Sequence, residues 1–259
     1  MYKALFPIIL AAVLLASPGY SQKRDTVTID ASRVNTRVLK PGVNRYLVYF
    51  KNGRDSSRIA YQLWTRAVDT VSYRGRPAIS IRQEWEDNNS VTHRVYSVSD
   101  RKTFAPLFHD TWWKRSGSGK FDFIGRTAHV RDTLLTAADT VPGKKKILDA
   151  FNRALGQYVL NWHLDLEVFS TLPYRDNVSF KINFYDPGFG DPSVQLYSVT
   201  GSGSLTGYDG QQVDCWLLTH ESPGNKEVFW VSKKTREVLK LEQEFRGRYR
   251  YKIKLGFSS

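Results

Sequence analysis

From Arg45 onward the chain is cut into short runs rich in Val, Ile, Tyr, Phe and Trp that alternate apolar with polar residues, and each run stops at turn-forming residues. Alternation with period two places successive side chains on opposite faces, so such runs form half-buried strands. Residues 45–50 end at Asn52-Gly53, a hairpin dipeptide tolerant of positive φ at both central positions. Residues 57–71 are followed by Arg74-Gly75, 78–86 by Asp87-Asn88-Asn89, and 91–98 by Ser99-Asp100. Ser116-Gly117-Ser118-Gly119 separates Trp112-Trp113 from 121–130. Turns at a spacing of roughly 10–18 residues are what an antiparallel meander needs. Strand signals resume at 178–185, 194–200, 213–220, 227–231, 238–245 and 249–257, and the Gly/Ser-rich stretch 201–207 reads as a loop within the sheet.

One segment breaks this period. Between Lys144 and Phe169, apolar residues fall at Leu148, Phe151, Leu155, Tyr158, Trp162, Leu166 and Phe169, three or four apart, on one face of a helix. Pro142-Gly143 precedes it, Pro173 closes it, and Gly156 is a weak point in its middle. The expected fold is β-rich α+β: a single curved antiparallel sheet, an open half-barrel, with one main amphipathic helix over 145–169 packed on it. No internal repeat and no linker divides the region, so 45–259 reads as one domain, with 22–44 as an N-terminal extension or edge segment.

Residues 1–21 read as a signal peptide. Lys3 supplies the positive start, 4–16 is apolar apart from Pro7, and Gly19 and Ser21 are small residues suited to cleavage before Gln22. The run is shorter than the ~20 apolar residues of a spanning helix, and nothing later in the chain is long and apolar enough to span, so the expected mature chain has no transmembrane helix. Export to the periplasm, with association at the outer membrane as a variant, is the expected localisation. A single cysteine, Cys215, excludes an intrachain disulfide and a Cys-rich metal site.

No arrangement of residues reaches the level of an enzyme motif. His93, His109, His129, His163 and His220 are scattered and none forms His-Glu-x-x-His. His163 and Asp165, two apart on the expected helix, do not face each other. Glu84 and Glu86 share a strand face that reads as exposed, and no Gly-x-Ser-x-Gly elbow exists. Gly201–Gly207 lacks dinucleotide spacing, Lys144-Lys145-Lys146 follows no phosphate-cradling glycine pattern, and Cys215 reads as a packed apolar residue. No catalytic residue, metal ligand or cofactor is therefore assigned.

The end of the chain is more informative. Arg246, Arg248, Arg250, Lys252 and Lys254 alternate with Gly247, Tyr249, Tyr251, Ile253 and Leu255, giving a strand with a basic face and a ring-rich face. That pattern suits either a solvated edge strand or a stripe for anionic partners. The formal net charge of +13 favours anions generally, and export ranks anionic envelope surfaces above nucleic acid, which is not expected as a partner.

Pro142-Gly143, Ile147-Leu148-Asp149-Ala150-Phe151, Trp162-His163-Leu164-Asp165 and Leu172-Pro173-Tyr174, with Gly210 to Trp216, Phe229-Trp230-Val231-Ser232 and Val238-Leu239-Lys240-Leu241-Glu242, resemble a family of exported domains of unknown function. That family is associated with the lipoprotein-carrier fold, a half-barrel with helical cover. The resemblance implies no catalytic residues, and this chain lacks a lipobox cysteine. The expected function is an exported, non-enzymatic envelope protein, monomeric, binding a lipid, another amphipathic ligand or a lipid-modified protein in the concave face of its sheet. Phe151, Leu155, Tyr158 and Trp162 would touch the apolar part, and Arg248, Arg250 and Lys252 the anionic head. The alternatives are a structural or interaction module with a self-filled core, and an exported enzyme acting on an envelope polymer.

Overall fold

The computed structural model describes residues 24–88 and 90–258; the expected signal peptide lies outside the described residues. The elements run β1 (Asp25–Thr28), β2 (Gly42–Lys51), β3 (Arg58–Tyr73), β4 (Arg76–Asp87), β5 (Ser90–Asp100), β6 (Pro106–Trp113), β7 (Gly117–Asp122), β8 (Thr127–Val130) and β9 (Thr133–Leu134). Then follow α1 (Pro142–Leu155), β10 (Leu160–Asn161), α2 (Asp165–Ser170), β11 (Val178–Tyr185), β12 (Ser193–Thr206), β13 (Gln212–Ser222), β14 (Asn225–Ser232), β15 (Val238–Phe245) and β16 (Arg248–Lys254).

All sixteen strands join one unclosed sheet in the order β1-β11-β12-β13-β14-β15-β16-β2-β3-β4-β5-β6-β7-β8-β9, with β10 also on β11. Pairing is antiparallel except where β1 and β10 add in parallel to β11. Within 22–44, Asp25–Thr28 pairs at the edge of the sheet, with Asp25 opposite Val178, and the first long strand starts at Gly42. Tight hairpins follow the turn chemistry: Arg74-Gly75 and Arg246-Gly247 carry φ of 49° and 75°, and of 49° and 78°.

The sheet must curl. β4 and β11 lie eight strand spacings apart in the order, about 38 Å in a flat sheet. Yet Ile79 and Ile81 of β4 share one core with Phe180 and Ile182 of β11. What brings them together is the segment after α1, whose Leu160, Leu164, Leu166, Val168, Phe169, Leu172 and Tyr174 are buried in that same core. Phe169 is fully buried, its ring 4.6 Å from Phe229 and 4.7 Å from Tyr197. The β-rich class stands as read, and the concave face is filled by the chain itself.

The expected single helix is split. α1 stops at Leu155 with Gly156 as its C-cap, and the chain turns inward. Gly is a poor helix former, and after it the buried Val159 and Leu160 join different cores. Leu160 and Asn161 instead pair with Phe184 and Tyr185, and Asn161 Oδ1 then accepts from the His163 N–H to start a new turn. α1 packs Ala150, Phe151 and Ala154 in a separate cluster with Phe121 and Ala128 of β7 and β8, away from the main core. The expected loop 201–207 is also strand for most of its length: β12 runs through a register shift at Thr200 to Thr206. Gly203 is required there, because a Cβ would sit 2.5 Å from the Trp230 ring.

Candidate functional site

β16 is an inner strand, between β15 and β2, which excludes the edge-strand reading of its charges. Alternation separated its two faces correctly, but the basic face points inward. Lys252 and Lys254 are buried, whereas Tyr251 lies on the other face, stacked 4.8 Å from Tyr49. A buried ammonium is stable only when paired. Lys252 Nζ lies 3.3 Å from Asp165 Oδ2 and 4.4 Å from the Trp64 ring centroid, and Lys254 pairs with Glu237.

Asp165 and Glu167, on α2, share Arg66 of β3, whose side chain is 1% exposed. Arg66 donates through Nε and Nη2 to the two oxygens of Glu167, through Nη1 to Gln83 Oε1 and through Nη2 to the His163 carbonyl. Burial pushes the Asp165 carboxyl up, but Lys252 and Arg66 outweigh it and hold it below the usual carboxylate range. Burial lowers Lys252 to about 8, against the pull of Asp165.

Residues 162–170 line two clefts. The larger, about 590 Å³, opens between residues 37–44, α2 and the turn 234–238. Its floor is apolar, formed by Tyr46, Val68, Leu166 and Val238, all buried. Its rim carries Arg37, Lys40, Lys234 and Arg236. Its two carboxylates are already engaged, Glu167 by Arg66 and Glu237 by Lys254. None of the four rim cations has an ion pair among the described residues, and Arg236 Nη1 is buried without a hydrogen-bond partner. The smaller cleft, about 310 Å³, holds Trp162, Asp165, Glu227 and Arg250.

A family model described as a protein of unknown function, DUF3108, matches residues 45–254. The chain belongs to the DUF3108 family. The match bears out the resemblance to a domain of unknown function and says nothing of lipoprotein carriers. Among solved structures, a β-barrel-like protein of domain of unknown function DUF1849 from Brucella abortus is similar at 9% identity and a TM-score of 0.41, covering 84% of this chain and 98% of that one. No curated protein matches.

In this DUF3108 domain the residues expected to bind together are dispersed. Phe151 and Leu155 pack in the α1 cluster and line neither cleft. Tyr158 packs against the main core and donates its hydroxyl to the Thr103 carbonyl at 2.7 Å. Arg248 is exposed beside the β15–β16 hairpin, and Lys252 is locked to Asp165. Only Trp162 and Arg250 meet, in the smaller cleft. For the apolar residues the source is the split after Leu155, which sends one half of the stripe to each core.

Sequence reasoning also missed a histidine cluster. The His163 ring centroid lies 4.8 Å from His109 and 5.4 Å from His93, and His93 stacks on Trp113 at 3.6 Å. His93 lies opposite Trp113 and His109 opposite Ser97, four residues apart along neighbouring strands, and His163 from the segment before α2 is in ring contact with both. Among the described residues, no group of three or more His, Cys, Asp or Glu side chains is placed to hold a metal ion. His163 and Asp165 diverge as expected: His163 Nδ1 lies 3.1 Å from Asp186 Oδ1, out of line for a hydrogen bond, while Asp165 turns to Lys252. Cys215 is fully buried, and burial pushes its thiol up to about 11, in keeping with a packing role. No helix among the described residues is long and apolar enough to cross a membrane.

Proposed function

We propose that this DUF3108 protein is an exported, non-enzymatic envelope protein that binds an anionic amphiphile in the larger cleft. The observation that carries the reading is the pairing of an apolar floor with four cations that lack ion-pair partners among the described residues. An acyl chain would lie on Tyr46, Val68, Leu166 and Val238, and its head would meet Arg236 and Lys40. The cleft's volume of about 590 Å³ falls within the range of small-molecule sites, ~300–1,000 Å³. Unpaired cations at a rim steer and hold anions, and their pull weakens with salt. The signal-peptide pattern of 1–21 supports delivery to the envelope, where such ligands are abundant.

The self-filled concave face favours a second reading, a structural or interaction module with no small ligand. Titration with a fluorescent long-chain fatty acid separates the two. Arg236→Gln with Lys40→Gln should weaken binding of the carboxylate by roughly tenfold or more and leave binding of the matching fatty alcohol unchanged. The carboxylate's advantage should shrink at ~1 M salt. Absence of uptake by the folded parent protein would leave the module reading standing.

A further inference from the structure

The smaller cleft is built differently and does not depend on the reading above. His220, Glu227, Gln243 and Arg250 are successive cross-strand partners on β13, β14, β15 and β16: His220 opposite Glu227, Glu227 opposite Gln243, and Gln243 opposite Arg250. Register therefore sets four planar polar groups in one rung across the inward face, about 4.8 Å apart. The next rung inward holds Leu218, Phe229 and Leu241, all buried in the main core, and ends at the buried Lys252 that pairs with Asp165. A polar rung laid against an apolar one is costly unless its groups are hydrogen-bonded.

These groups are not fully satisfied by the protein. Glu227 is 5% exposed, and its carboxyl holds only a 3.7 Å contact to Arg250 Nη2, with no hydrogen bond among the described residues. Arg250 Nε is buried without an acceptor. Gln243 spends its amide N–H on Asn225 Oδ1 at 2.7 Å, which leaves its carbonyl oxygen free to accept. His220 donates from Nδ1 to the Leu196 carbonyl at 2.9 Å, so in the neutral ring Nε2 is an acceptor. Burial raises the Glu227 carboxyl above its usual range, against the pull of Arg250 and Lys252.

The rung thus offers acceptors at His220, Glu227 and Gln243 and a donor at Arg250, whose guanidinium faces the Glu227 carboxyl at 3.7 Å. Trp162 and the half-exposed Phe245 supply ring faces to the same cleft. Hydroxyl groups both donate and accept, so a compact ring bearing several of them satisfies such a row where a simple anion or cation would not. The C–H face of that ring suits an aromatic wall.

We propose that this cleft is a saccharide site that takes one neutral pyranose unit, its hydroxyls on the rung of Glu227, Gln243 and Arg250 and its ring against Trp162. Saturation-transfer NMR on the full mature chain, with glucose, galactose, mannose and N-acetylglucosamine as probes, tests it. At least one sugar should show transfer to its ring protons. Gln243→Ala and, separately, the surface change Phe245→Ala should each cut its affinity about tenfold, the scale of one buried hydrogen bond or ring contact. The double change Arg236→Gln with Lys40→Gln should leave it unaltered. Silence from all four sugars with the folded parent protein, or equal affinity in both folded cleft variants, overturns the assignment.

Discussion

Arg66 and Glu167, 101 residues apart in sequence, meet in the core as a two-pronged ion pair, the guanidinium donating through Nε and Nη2. Their side chains are 1% and 7% exposed. The pair ties α2, the element common to both clefts, to the middle of β3. Burying two charges costs desolvation that the mutual attraction offsets only with good geometry and further hydrogen bonds. Here Gln83 and the His163 carbonyl supply those bonds.

Removing one partner should therefore cost more than removing both. Arg66→Met leaves Glu167 charged and uncompensated, with an expected loss of about 3–5 kcal/mol in urea unfolding. Arg66→Met combined with Glu167→Leu should recover much of that loss. Additive single and double changes would show that the pair is uncoupled.

The histidine cluster makes stability depend on acid. Burial first, then the nearby His163, lowers His93 to about 3, and the same causes, with His93 itself, hold His109 well below the ordinary histidine range. Arg66 adds a smaller push on His93. The unfolded chain takes up protons as pH falls through about 6.5, while the folded chain resists until far lower. Stability is thus fully present above pH 6.5 and drains away as pH falls towards 3. Between pH 6.5 and 5 the loss from His93 is about 2 kcal/mol. His93→Gln should flatten the urea-stability profile over that interval by about the same amount, and parallel profiles for parent and variant would refute the account.

Much of this architecture is legible in the residues themselves, because hairpin chemistry is local. Arg74-Gly75 marks its turn in sequence and makes it in space, whereas Arg246-Gly247, which alternation reads as the start of the basic strand, is the turn before it. The failures are tertiary. Alternation divides β16 into a basic and a ring-bearing face but does not say which is inside, since period two is symmetric. Gly203 looks like loop punctuation until Trp230 is seen across it. The polar rung is invisible because its four members are spread over 31 positions, His220 to Arg250, and only strand register aligns them. The helical stripe was real at both ends, yet Gly156 and the pairing of Leu160 and Asn161 with β11 cut it in two.

That division has a measurable consequence. Phe151 and Phe169 occupy equivalent positions on the expected stripe and are both fully buried, but in different cores. Phe169 sits in the core that both halves of the curled sheet share, its ring centroid 6.1, 4.7 and 4.6 Å from Phe184, Tyr197 and Phe229. Phe151 packs α1 against Phe121 and Phe123, whose rings lie 5.6 and 5.2 Å away, in a cluster that also holds Tyr185 at the end of β11. Truncating either leaves a cavity worth about 3–5 kcal/mol. Phe169→Ala should lower global stability by that amount and speed hydrogen exchange in strands on both sides, β4 as well as β11. Phe151→Ala should loosen α1 and β7–β8 selectively, with little change in exchange of β12 to β16. Both variants should be compared in fatty-acid binding at a temperature where each stays folded. If α1 were a lid over a central ligand chamber, Phe151→Ala would abolish uptake; with the amphiphile in the cleft of Lys40 and Arg236, uptake should survive it.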